Sequence, residues 1–120
     1  MIENAMDREK RIEASAMVDT GATYLTLPES WSDRLGEFEK NETIEIGLAD
    51  GSTQKARLCG PARITIERFS PIYGEVLFLP MGGAEGAPEP LLGYIPLESS
   101  RVAVDMLGHR LVPLKYADLK

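Results

Sequence analysis

An all-β domain with one or two short helices, its sheet curled into a closed or nearly closed barrel, is what three features of this sequence predict. Apolar residues recur with a period of two at 11–18 and again on both sides of Asp50-Gly51. That Asp-Gly pair is the turn of a hairpin. A continuous apolar run, Val76-Leu77-Phe78-Leu79, stands between Gly74 and Pro80 as a strand buried on both faces. At 120 residues the chain makes one domain, spanning 1–120, with neither an internal repeat nor a low-complexity segment.

In chain order, Ile12, Ala14, Ala16 and Val18 fall on one face, opposite Arg11, Glu13 and Ser15, which predicts a half-buried strand from Arg11 to Val18 running straight into Asp19. Thr23 to Leu27 is rich in β-branched and aromatic residues and is closed by Pro28. A short helix is expected over Glu29 to Gly36, with Trp31 and Leu35 one turn apart as core residues and Gly36 as its stop. The hairpin follows: Ile44, Ile46 and Leu48 alternate outward, Asp50-Gly51 makes a tight type I′ turn, and Ala56 and Leu58 alternate on the return. Gly60-Pro61 marks a bend or bulge, after which Ile64 and Ile66 resume the alternation. Met81 to Pro90 is a Gly/Pro-rich loop. Pro96 is suited to the first position of a short helix, and Val102–Asp105 with Arg110–Leu114 forms a last hairpin around 106–109.

Charge and composition exclude several functions. A net charge of −6 opposes nucleic-acid binding, which needs a basic face. No apolar run is long enough to span a bilayer, and the charged segment Met1 to Arg11 lacks the apolar centre of a signal peptide. The single cysteine, Cys59, excludes an intrachain disulfide. Together these point to a cytoplasmic protein. Cys59 has no basic neighbour in sequence to form a thiolate and reads as a small buried residue. His109, the one histidine, reads as a turn residue, so neither a metal cluster nor a Ser-His or Cys-His pair can be assembled around it. Gly82, Gly83 and Gly86 lack the Lys and Ser/Thr of a phosphate loop. Glu37, Glu39 and Glu42 read as a solvated surface, and Asp105 as an exposed hairpin residue.

The segment with chemistry in it is Ala16-Met17-Val18-Asp19-Thr20-Gly21-Ala22-Thr23. A carboxylate just after an apolar strand needs donors or a partner around it. Gly21 permits a sharp turn that brings backbone N–H groups toward Asp19, and the Thr20 hydroxyl can lock that turn. As a bare tripeptide, Asp-Thr-Gly is a strand-ending turn.

Its company gives it more meaning. Met17 to Ala22 with Thr23 to Pro28, the Ala49-Asp50-Gly51-Ser52 hairpin tip, and Leu91-Leu92-Gly93 followed by a short helix and the Val104-Asp105 strand occur in this order. In these three blocks the chain resembles the retropepsin-like, retroviral-type aspartic proteases, in particular small single-lobed bacterial and archaeal members, from about Ile12 to Pro113. The resemblance implies an endopeptidase that acts as a homodimer on extended peptides, without metal or cofactor. Asp19 would be catalytic, with Thr20, Gly21 and Ala22 as its loop. The hairpin Ile44 to Leu58, tip at Ala49 to Ser52, would be the flap, and Leu91-Leu92-Gly93 the ψ-loop support beneath the catalytic turn. Two departures from the viral pattern stand out. The tip carries a charge where the viral enzymes have an apolar, glycine-rich one, and the chain ends in a hairpin plus charged tail where they end on a single interface strand. A non-catalytic dimerisation or peptide-binding module that keeps the protease fold is the other reading of the same residues.

Overall fold

The computed structural model describes residues 1–19, 21–47, 50–80, 90–100, 102–105 and 110–113. The all-β class is as the sequence predicts, but the main feature is a curled sheet that forms a half-barrel where a closed or nearly closed barrel was expected. The strands are β1 (Ile2–Asn4), β2 (Asp7–Ile12), β3 (Met17–Val18), β4 (Leu25–Pro28), β5 (Lys40–Gly47), β6 (Thr53–Ile64), β7 (Ile72–Leu79) and β8 (Leu91–Leu92). They are ordered β2-β1-β6-β7-β4-β8-β3, with β5 paired to β6 off this path. A separate antiparallel pair, β9 (Val102–Asp105) and β10 (Arg110–Pro113), is the expected last hairpin.

The centre of the sheet follows from its apolar content. β7 lies between β6 and β4, parallel to β4, and Val76 and Phe78 are fully buried on one face. They pack with Leu25, Leu27, Leu35, Ile12, Cys59 and Ile64 in the main core. Leu77 faces the other way and joins Ala56 and Leu58 in a smaller cluster, flanked by Tyr24, Ile44, Ile46 and Leu79. Two covered faces explain why 76–79 has no alternation; each such buried side chain contributes about 2 kcal/mol. At Gly60-Pro61 the register between β6 and β7 shifts between Cys59 and Ala62, the bulge expected from the Gly-Pro pair.

The short helix also forms as expected. A 3₁₀ turn, Glu29–Trp31, leads into α1 (Ser32–Leu35), which ends on Gly36 at φ 71°. Leu35 is fully buried, and Trp31 packs against the core with the Arg34 guanidinium 5.2 Å from its ring centre.

Four further expectations need correction. The strand predicted over Arg11 to Val18 is broken: β2 ends at Ile12, residues 13–16 have no regular structure, and Ala14, Met17 and Val18 are exposed. Small alanines and Ser15 gave an alternation with too little area to hold a strand in place. Second, β1 and β2 arise from the charged segment that had no strand signal. Ile2 is the only large apolar residue of β1, but Glu3 and Asn4 are also buried, each satisfied by specific partners.

The third correction concerns the hairpin turn. Gly47 pairs with Thr53, so five residues intervene where a type I′ turn has two. Gly51 has φ 87°, while Asp50 stays out of the left-handed region and folds its carboxylate onto the Ser52 amide at 2.9 Å and onto the Ser52 hydroxyl. Fourth, α2 (Tyr94–Ser99) begins two residues before Pro96, which is still within the first turn, where a missing N–H costs no helical bond.

Candidate active site

Asp19 follows β3, a two-residue strand at the edge of the sheet. The Met17 amide donates to the Pro90 carbonyl at 2.9 Å and the Asp19 amide to the Leu92 carbonyl at 3.0 Å, so β3 runs parallel to β8. The chain then turns sharply: the Ala22 amide donates to the Asp19 carbonyl at 3.0 Å. Inside that turn the Gly21 amide donates to Asp19 Oδ1 at 3.0 Å. A methyl group at Gly21 would stand 3.2 Å from the same oxygen, so glycine leaves the carboxylate its room. Asp19 itself is half-buried.

The segment after β8 holds the other side of the loop. The Gly93 amide donates to the Tyr24 carbonyl at 3.1 Å, Tyr94 to Ala22 at 3.0 Å and Ile95 to Thr23 at 3.1 Å. Leu91 and Leu92 also pair antiparallel with Thr26 and Leu25 of β4. Leu91-Leu92-Gly93 thus lies between the strand entering the Asp19 loop and the strand leaving it, and bonds to both. The sequence blocks 17–28 and 91–93 are brought together, and neither end of the loop can shift without breaking bonds to 90–95.

The hairpin of β5 and β6 is antiparallel from Lys40↔Gly60 to Gly47↔Thr53. Ile44 and Ile46 point from it toward Tyr24, Leu58 and Leu77 in the smaller apolar cluster. Tyr24 connects that cluster to the Asp19 loop, a link that its polar hydroxyl and place after Thr23 did not advertise in the sequence. Midway along the hairpin Arg57 grips Glu29, with Nη2 2.6 Å and Nε 3.0 Å from Oε1, and its guanidinium lies 5.5 Å from the Phe78 ring centre. Asp50, Gly51 and Ser52 sit at the exposed tip. The Ser52 hydroxyl first, and its amide second, hold the Asp50 carboxyl below the usual carboxylate range. Thr20 and Ala49 lie outside the described residues, as do His109 and the Gly82, Gly83 and Gly86 loop.

Cys59 is buried beside Asn41, its Sγ 3.5 Å from Asn41 Oδ1, and burial pushes its thiol pKa up. It is a core residue. Among the described residues no group of three or more His, Cys, Asp and Glu side chains is placed to hold a metal ion, and no helix is long and apolar enough to cross a membrane.

A curled half-barrel with two short helices matches the all-β, single-lobe fold of an acid protease. The aspartyl protease family model matches residues 7–94, and the chain belongs to that family. No curated protein and no solved structure matches it at a significant level. The matched span contains Asp19, the whole β5–β6 hairpin and Leu91-Leu92-Gly93.

Proposed function

We propose that the protein is an aspartic endopeptidase of the retropepsin-like type, active as a homodimer in which Asp19 of each chain supplies half of the catalytic pair. The observation that carries this reading is the Asp19 loop. One carboxylate is half-exposed at a sheet edge, holds one internal amide, and is braced from both sides by 90–95. General acid–base hydrolysis of an amide needs a second carboxyl, and two-fold symmetry sets each residue against its own copy. Two carboxyls in contact share one proton. The ionised member takes a proton from a water molecule as its oxygen attacks the scissile carbonyl carbon. The protonated member gives its proton to the carbonyl oxygen, forming a tetrahedral diol. Collapse breaks the C–N bond: a diol hydroxyl returns its proton to the second carboxylate, and the amine leaves with the proton that the first carboxylate had taken, which restores the pair. The β5–β6 hairpin closes over an extended peptide and holds it by strand-like main-chain bonds.

Incubation with a mixed peptide library between about pH 3 and 7 tests the proposal, because the pair has to hold one proton. Cleavage that is abolished by Asp19→Asn is expected. Cleavage that survives this substitution sinks it. The charged Asp50 at the hairpin tip favours a second reading, a peptide-binding module without turnover. That reading expects peptide capture with no cleavage, unchanged by Asp19→Asn.

A further inference from the structure

We infer that the second copy docks on the corner formed by β3 and the start of α2, through Met17, Val18, Tyr94 and Ile95. This rests on the homodimer reading and identifies the contact face of that dimer.

Among the described residues six large apolar side chains are exposed: Met6, Met17, Val18, Tyr73, Tyr94 and Ile95. Four of the six meet at this corner. Met17 and Val18 pair with Leu91 and Leu92, and Tyr94 and Ile95 are bonded to Ala22 and Thr23, so the Asp19 loop lies among them. Aromatic residues and methionine are enriched at protein contacts. Charge gives a second, independent argument. Two copies each carrying −6 repel one another, and an uncharged contact face adds no close like-charge pairs to that repulsion. In a chain that is 27% charged, residues 14–18 and 90–97 hold no charged side chain.

Topology excludes the opposite end of the sheet. β1 lies between β2 and β6, so both of its edges are in use. The outer strand β2 exposes Asp7, Arg8, Glu9, Lys10 and Arg11, a charged edge of the kind that resists pairing. β3 has β8 on one side and, among the described residues, no strand of its sheet on the other.

Sedimentation of the wild type, Met17→Lys and Ile95→Lys tests the assignment, with Met6→Lys and Tyr73→Lys as controls at exposed apolar sites elsewhere. The corner variants are expected to raise the dimer dissociation constant about 100-fold, while the controls leave it within about threefold. Circular dichroism establishes that each variant is folded. For a variant that is not, concentration-dependent amide protection of Val18, Tyr94 and Ile95 in the wild type is the measure, and protection gained there on association is expected. A wild-type dimer that the corner variants leave intact, or that protects β2 and not α2, overturns the contact face while leaving the paired-carboxylate reading in place. A wild type that cleaves peptide as a monomer at every concentration overturns both.

Discussion

Gly93 approaches the Asp19 loop so closely that a methyl group in its place would stand 2.7 Å from the Ala22 carbonyl oxygen and 2.5 Å from that of Tyr24. Its backbone is extended, at φ −82° and ψ −178°, a conformation open to any residue. Contact, not torsion, requires glycine here. The obstructing atoms, these two oxygens and the Thr23 carbonyl carbon at 2.7 Å, are all backbone, and both oxygens are fixed by hydrogen bonds, one of them to Gly93 itself. Gly93→Ala therefore has to push the loop away from α2. The expected loss of stability is about 2–3 kcal/mol, read from urea denaturation. Peptide cleavage should fall further than stability, because the displaced loop carries Asp19. An unchanged urea midpoint would show that the segment yields more easily than its bonding implies.

Glu3 is buried on β1 between two guanidiniums: Arg63 Nη1 lies 2.6 Å from Oε1 and Arg8 Nε 3.0 Å from Oε2. The Arg63 bond first, and the Arg8 bond second, hold its carboxyl below its ordinary value of 4.5. A carboxyl with a depressed folded-state pKa contributes stability that is fully present above the unfolded value. This is lost as the pH falls through the lower, folded one. Thermal unfolding should accordingly show a decline in stability below about pH 4.5 that Glu3→Gln flattens. Arg63→Met should cost about 3 kcal/mol at neutral pH, since it leaves a buried carboxylate with one partner. A wild type and Glu3→Gln with parallel pH profiles would remove this pair from the acid transition.

The same residues show where sequence reading stopped. The central strands were legible because large apolar side chains impose a period or an unbroken run, as in Val76 to Leu79. Leu91-Leu92-Gly93 and the Asp19 turn were legible as motifs, and their juxtaposition only through the family resemblance, because no local pattern joins residues about seventy positions apart. What stayed hidden depends on polar residues whose partners are far away in sequence. Glu3 and Arg63 are sixty positions apart, and nothing local distinguishes Glu3 from the solvated glutamates at 37, 39 and 42. Ala14 and Ala16 misled in the other direction, since a correct period without buried area does not hold a strand.

Asn4 is the second buried polar residue of β1. Its Nδ2 donates to the Leu35 carbonyl at 2.9 Å and to the Glu37 carbonyl at 2.7 Å, and its Oδ1 accepts the Met6 amide at 3.0 Å. It thus ties the end of α1 to the turn between β1 and β2. Asn4→Ala removes all three bonds and leaves the Leu35 carbonyl enclosed, for an expected loss of about 2–3 kcal/mol in urea denaturation. Asn4→Asp should be at least as damaging, because a carboxylate repels the two carbonyls that the amide served. An Asp variant more stable than the Ala variant would contradict this assignment.

The hairpin tip makes the last prediction chemical. The Asp50 carboxyl is held below its ordinary value of 3.8, chiefly by the Ser52 hydroxyl. It therefore remains an anion to a lower pH than a free aspartate. In the proposed closed state that anion faces the peptide, so substrates with Lys or Arg near the scissile bond should be favoured over their Glu counterparts. The tip is fully exposed and its field is screened by salt, so the preference should be modest, roughly fivefold in kcat/KM at low ionic strength, and should shrink at high salt. Asp50→Asn should abolish it. Ser52→Ala removes the main cause of the depression, lets the carboxyl protonate nearer 3.8, and should make the preference fade at a higher pH than in the wild type. Competition between paired Lys and Glu peptides at several pH values measures all three effects. A preference untouched by Asp50→Asn would place the discriminating charge somewhere other than the tip.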